Sequence, residues 1–309
     1  MSTSPPVPAV VSTQSLTHAY GDVVALQDVD VTLGAGVTGL VGANGAGKTT
    51  FLRVLLGLLH PTHGNVMVLG RDALKDPLAV RSLVGYMPEN QCLPKDQTAA
   101  DFVAYTAELA GLPTADARRR ASETLFLVGL EEERFRFLGD FSTGMAQRVK
   151  LAQAIVHGPE LVLLDEPASG LDPAGREAML ELIRRLGSFG INVIFSSHLL
   201  TDIEATCDSV MLLDAGWLVR SGPVSNLGPT STITVEVIGD AGEFAARLMA
   251  AGLAAVASEH DVTVTGATDH DYDVIRDTAD DQGVGIYRLS PTSRSLEDEF
   301  LMRANKAEQ

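Results

Sequence analysis

Apolar and polar positions alternate over residues 14–33, as in Ser15-Leu16-Thr17-His18, which predicts short antiparallel strands around a turn at Tyr20-Gly21-Asp22. The pattern then changes: residues 37–41 form a largely apolar run, as in a strand covered on both faces, and residues 51–59 are amphipathic with helical spacing. Residues 65–69 and 83–87 read as further strands, and Asp76-Pro77 between them reads as the N-cap and first-turn proline of a short helix. From residue 98 to 129 the period is helical: residues 99–110 and 115–128 are rich in Ala and Leu and are separated by Gly111-Leu112-Pro113. This predicts a helical insertion in an α/β chain. A helix follows from Ser142 to about residue 156, then buried strands at 161–164 and 191–195, and a closing hairpin of strands 209–213 and 217–221 around Asp214-Ala215-Gly216.

Residues 222–230 are rich in Gly, Pro, Ser and Asn and read as a linker. Beyond them the predicted order is strand 232–238, helix 241–251, strands 254–258 and 262–265, helix 272–280 and strand 284–289. That β-α-β-β-α-β order is the split-βαβ pattern of a small α+β, ferredoxin-like domain, with a last helix over 295–303. The expected division is therefore 10–227 and 231–304, with a helical subdomain at about 98–157.

Chemistry concentrates where strand 37–41 gives way to Gly42-Ala43-Asn44-Gly45-Ala46-Gly47-Lys48-Thr49-Thr50. Strand, glycine loop and helix with G-x-x-x-x-G-K-T spacing form a phosphate cradle, in which backbone N–H groups and a helix N-terminus converge on an anion. The spacing assigns Gly42, Asn44, Gly45, Gly47 and Thr50 to that cradle, Lys48 to the β- and γ-phosphates, and the Thr49 hydroxyl to Mg²⁺. The second candidate is Asp165-Glu166, at the carboxyl end of a buried strand, where ligands sit in open α/β sheets. Asp165 suits a metal-side carboxylate and Glu166 the residue that polarises an attacking water. Ser142, an N-cap before Gly144, opens a helix start able to receive a phosphate. Tyr20 is read either as an adenine-stacking ring or as a core aromatic, and a histidine placed like His198, just past a core strand, is by itself more often structural.

Composition narrows the partners. Asp and Glu outnumber Lys and Arg by 40 to 23, a formal net charge of −17 in which no basic cluster stands out, which argues against a nucleic-acid groove and against polybasic adhesion to a bilayer. Cys92 and Cys207 sit in no metal-like spacing and suggest a reducing compartment. No secretory signal is evident, and no stretch approaches the roughly 18 apolar residues of a membrane span. The acidic run Asp269, Asp271, Asp273 reads as a solvated face.

Taken together, these residues resemble the nucleotide-binding subunit of an ABC transporter over residues 10–227. The phosphate loop, a signature-like Ser142-Thr143-Gly144-Met145, Asp165-Glu166, Asp172 at a D-loop position and His198 at an H-loop position follow the family's order. The resemblance implies a P-loop NTPase core of ABC ATPase type with an antiparallel β subdomain and a helical subdomain. It implies that ATP, with Mg²⁺, is sandwiched between the phosphate loop of one subunit and the signature helix start of a second, a homodimer being expected. Ser142 and Gly144 would then contact the γ-phosphate in trans, Tyr20 would stack on adenine, Asp165 would hold Mg²⁺, Glu166 would act on the water, and His198 would touch the γ-phosphate. Hydrolysis would energise a separate integral membrane permease docked on the helical insertion, placing the chain at the cytoplasmic face of the membrane.

Two departures stand out. The usual signature L-S-G-G-Q is here Phe141-Ser142-Thr143-Gly144-Met145, and the loop after Gly85-Tyr86-Met87-Pro88, where the family carries a metal-touching glutamine, has Glu89 and only later Gln91. The C-terminal unit, ending Ser295-Leu296-Glu297-Asp298-Glu299-Phe300-Leu301, resembles the extension of exporter-type ABC ATPases, including those of drug and antibiotic efflux. The alternative is a soluble ABC ATPase acting on ribosomes or DNA. One cassette and an acidic balance favour transport.

Overall fold

Two long strands, β1 (Val11–Tyr20) and β2 (Val23–Leu33), open the computed structural model, and β3 (Val37–Val41) leads into the glycine loop and helix α1 (Lys48–Leu55). The structure describes residues 9–90, 93–224, 231–258, 261–265 and 271–293. The chain divides into two units, residues 1–224 and 225–309. In the first unit there follow β4 (His63–Val68), β5 (Arg71–Asp72), α2 (Pro77–Arg81), β6 (Val84–Met87), α3 (Ala99–Leu109), α4 (Thr114–Leu127) and α5 (Thr143–Ile155). Then come β7 (Leu161–Leu164), α6 (Pro173–Ser188), β8 (Asn192–Ser197), α7 (Leu200–Thr206), β9 (Ser209–Asp214) and β10 (Trp217–Pro223).

These strands form two sheets. The antiparallel one has the order β2-β1-β4-β5 and the other β10-β9-β3-β8-β7-β6, in which β9, β3, β8, β7 and β6 run parallel and β10 turns back antiparallel. A shared core joins Leu16, Leu26 and Val29 of the first sheet to Phe51 and Leu52 of α1 and Leu163 and Met211 of the second. Because β3, β7 and β8 are parallel, the loops after all three open on one carboxyl edge, where ligands collect in such sheets. The helical insertion is α3, α4 and the start of α5.

Several boundaries differ from the sequence reading for local reasons. α1 begins at Lys48, inside the glycine motif, and stops, as the glycine there predicts, just before Gly57 at φ +61°. The strand expected at 65–69 is β4, and Leu69, at φ +49°, lies beyond its end. β1 and β2 are long rather than short, with register shifts near Ser15 and Asp28, both at φ +47°. β8 continues past Phe195 through Ser197. Gly222 and Pro223, read as linker, belong to β10 and pair with Val210 and Ser209. The caps at Asp76, Thr98, Ser142 and Asp172 each accept a first-turn backbone N–H, an arrangement whose loss typically costs about 1 kcal/mol.

The second unit comprises β11 (Ser231–Ile238), α8 (Ala241–Ala250), β12 (Ala254–Ala257), β13 (Asp261–Thr265), α9 (Asp271–Gln282) and β14 (Gly285–Ser293). Its sheet order β12-β13-β11-β14, antiparallel throughout, is that of a split-βαβ, ferredoxin-like unit. Phe244 and Leu248 of α8 and Ile275 of α9 pack on Ile233, Val235, Val262 and Val264. Asp271 and Asp273 stand in the first turn of α9, where a carboxylate favours the helix dipole, and Asp273 pairs with Arg276. Asp269, the expected helix 295–303 and the segment quoted from 295 to 301 lie outside the described residues.

Candidate nucleotide site

The glycine loop has the shape a phosphate needs, and its glycines are there for distinct reasons. A Cβ on Gly42 would stand 2.5 Å from the Leu213 carbonyl oxygen, and one on Gly47 2.4 Å from that of Ala25. Gly45 has open space but sits at φ +86°, which L side chains rarely adopt. Ala46 N–H donates to the Ala43 carbonyl at 3.1 Å and closes the loop. Gly47 precedes α1 at φ 101° and supplies no side-chain cap, so the first-turn N–H groups face an anion site unshielded.

Beside this helix start lies a cavity of about 330 Å³ lined by Asn44, Gly45, Gly47, Lys48, Thr49 and Thr50, and by Glu89 and Glu166 from the neighbouring loops. Lys48 is buried; its Nζ donates to the carbonyls of Gly42 at 2.7 Å and Ala43 at 3.2 Å and lies 3.2 Å from Glu166 Oε1. That last contact is an ion pair without hydrogen-bond alignment. Glu166 Oε2 lies 3.1 Å from His198 Nδ1. Glu166 is also a non-glycine residue at φ +48°, a conformation that persists only where its surroundings over-determine it, as at working sites.

Asp165, beside it, is 1% exposed; its Oδ1 accepts from Ser196 Oγ at 2.8 Å, while Oδ2 is buried with no hydrogen-bond partner among the described residues. Leaving a buried carboxylate oxygen unmatched is costly. A divalent cation would satisfy it. One carboxylate and one hydroxyl, from Asp165 and Thr49, are what Mg²⁺ takes from a protein when phosphates and waters complete its shell, so the residues present fit that ion.

The other expected residues are placed as follows. Gly42 supports the loop from behind without lining the cavity. His198 lines a second cavity, of about 290 Å³, together with Ser169, Gly170 and Leu171, and Glu166 is the wall common to both. Tyr20 is 46% exposed and meets the His18 ring edge-on at 4.6 Å, so the core-aromatic reading falls; it does not line the phosphate cavity. Ser142 and Gly144 do not line it either: Ser142 Oγ accepts from Met145 N–H at 3.3 Å, and a Cβ on Gly144 would approach Leu171. The Glu89 side chain is exposed, while Gln91 and Cys92 lie outside the described residues.

Four residues missed in the sequence hold these loops together. Lys150 of α5, 1% exposed, donates to the Glu89 carbonyl at 2.9 Å, and Gln147 Nε2 donates to that of Ser169 at 3.3 Å. Arg176 of α6 grips Asp202 of α7 with both Nε and Nη2 at 2.8 Å. The signal for Lys150 was a charge in the small-residue run of α5; the Arg176–Asp202 pair spans 26 residues and left none. Cys207 is half-buried, and desolvation first, then the charges of Asp208 and Asp202, push its thiol far above the usual range.

Comparison with known proteins gives the family. Residues 26–169 match the family model described as ABC transporter. An uncharacterized ABC transporter ATP-binding protein of Nostoc sp. is 36% identical over 97% of this chain and 91% of its own. The bacitracin transport ATP-binding protein of Enterococcus faecalis is 31% identical over 94% of this chain and 95% of its own. Proteins named for linearmycin resistance and for methionine import are also among the relatives. A solved ATP-binding subunit of an ABC transporter shares 30% identity and superposes with a TM-score of 0.62 over 71% of this chain and 91% of that one. The chain belongs to the ATP-binding proteins of ABC transporters. It is an ABC-type ATP-binding and ATP-hydrolysing subunit. Among the described residues no helix is long and apolar enough to cross a membrane.

Proposed function

We propose that this chain binds ATP in the cavity beside α1, hydrolyses it in a two-copy assembly, and energises export through a separate membrane permease. The observation that carries the reading is the Lys48–Glu166–His198 cluster at the edge of the phosphate cavity, at 3.2 and 3.1 Å. The glycine loop and the N–H groups of α1 cradle the phosphates, and Lys48 leaves the Gly42 and Ala43 carbonyls to donate to the β- and γ-phosphates. Glu166 accepts a hydrogen bond from the attacking water and aligns it, while His198, held on that carboxylate, reaches the γ-phosphate. Asp165 and Thr49 would hold Mg²⁺, and Glu89 of the loop after β6 would offer a further carboxylate; when bound, the ion would neutralise charge developing on the phosphate oxygens. The exposed Tyr20 ring offers a stacking face for adenine.

The site needs a second copy because Ser142 and Gly144 stand outside the chain's own phosphate cavity. Their helix start would receive a phosphate bound by another copy. Supplied across a dimer, it closes over the γ-phosphate and couples positioning to closure. Residues 10–227 form the ATPase domain and 231–304 an accessory domain in this reading. Export rests on the bacitracin relative matching along almost the whole chain, C-terminal unit included, and on the linearmycin resistance relative. The solved cbiO1 chain, described as part of a transporter complex, supports a permease partner at the cytoplasmic face of the membrane.

The test is to extract tagged Glu166→Gln protein with Mg-ATP from its native cells in mild detergent. A multi-span membrane protein in stoichiometric amount supports the proposal. A ribosome, a DNA-repair factor, or no membrane chain contradicts the transport role and leaves the ATPase intact.

A further inference from the structure

We propose that Ser196 is the residue that orients both acids of the site. It lies in β8 and is 0% exposed, and its single hydroxyl is used twice: it donates to Asp165 Oδ1 at 2.8 Å and accepts from Glu166 N–H at 2.8 Å. A hydroxyl has one donor and two acceptor sites, so one small side chain performs both roles, which neither alanine nor valine can. The two bonds have different consequences.

The first fixes the Asp165 carboxylate about its own axis. With Oδ1 engaged inside the sheet, Oδ2 is the oxygen left over, buried and unpartnered among the described residues. A cation then meets a ligand already turned to one orientation, the usual effect of an outer-shell hydrogen bond on a metal-binding carboxylate. The second bond holds Glu166 at φ +48°, with the Glu166 carbonyl accepting from Ser169 N–H at 3.1 Å on the far side. That backbone turn is what aims the Glu166 side chain back between Lys48 and His198. Ser196 does not line the phosphate cavity, so it is a positioning residue acting through Asp165 and Glu166. The inference rests on Asp165 being the metal-side carboxylate.

The experiment compares ATP affinity in Mg²⁺ with that in EDTA by calorimetry, in a Glu166→Gln background so that no ATP is turned over. For Ser196→Ala we expect affinity in EDTA within about twofold of the parent and a Mg²⁺-dependent gain reduced by about 10-fold or more, with Ser196→Thr, which keeps the hydroxyl, recovering most of it. An unchanged gain in Ser196→Ala overturns the inference, as does an equal loss in EDTA and in Mg²⁺, which marks a general collapse of the loop. Should Ser196→Ala not fold, Ser196→Val, close in shape to the Thr variant but without a hydroxyl, carries the same comparison and the same two contrary results. Asp165→Asn separates the levels: if it keeps the full Mg²⁺ gain, the reading of Asp165 is wrong, whereas loss of the gain there but not in Ser196→Ala removes only the role of Ser196.

Discussion

Lys48 Nζ lies 3.2 Å from Glu166 Oε1, so the cation assigned to the phosphates and the carboxylate assigned to the water neutralise one another across the cavity. Both side chains are about nine-tenths buried, and neither charge is easily left alone there.

Lys48→Ala is therefore expected to act twice. Losing charge-assisted bonds, each worth about 1.5–3 kcal/mol, should weaken ATP binding at least tenfold and abolish hydrolysis. The same change strands Glu166, so Lys48→Ala should also lower stability, and adding Glu166→Gln should restore part of it. A double-mutant cycle by chemical denaturation checks this coupling; strictly additive effects would contradict the pair.

Ser142→Ala should cost about 1 kcal/mol of stability through its helix cap and also depress ATP hydrolysis by more than tenfold. Asp76→Ala removes a cap of the same kind, on α2, at a surface remote in role. It should lower the unfolding midpoint comparably and leave turnover near wild type. Equal turnover in the two variants would confine Ser142 to capping.

Arg176→Met should destabilise by roughly 2–4 kcal/mol, because it leaves Asp202, 6% exposed, with the Ser197 hydroxyl as its one remaining side-chain partner among the described residues. The companion Arg176→Met/Asp202→Leu should recover much of that loss. Thermal or urea unfolding of the pair gives the answer.

His157 supplies a pH dependence. Burial lowers its pKa from the ordinary 6.5, and a hydrogen bond with the Val84 backbone offsets this in part. A histidine depressed in the fold is neutral there while the unfolded chain already takes up a proton. Its contribution is thus fully present above pH 6.5 and is lost as pH falls through the lower folded value. The unfolding midpoint should drop between pH 7 and 5, and less steeply in His157→Gln. Parallel profiles would contradict this assignment.

What the sequence displayed were features whose partners are close in the chain. The glycine loop, the Ser142 cap and the run 161–164 ending in two acids each declare themselves within ten residues. Ser196 did not, because its meaning comes from β8 lying beside β7, a pairing of residues some 30 apart with no local signature. Tyr20 was ambiguous because a β-strand end reads alike whether its aromatic packs inward or stands exposed. The bulges at Ser15 and Asp28 were hidden for a related reason: an inserted residue changes the register of pairing without breaking the apolar alternation on either side.

A site completed by a second copy ties the mass of Glu166→Gln protein, measured by light scattering with and without Mg-ATP, to the bound nucleotide. The expected result is the 32.7 kDa monomer in EDTA and twice that mass with Mg-ATP, with Ser142→Arg added to the same chain returning it to the monomer. A particle that binds ATP and stays at the monomer mass would contradict it.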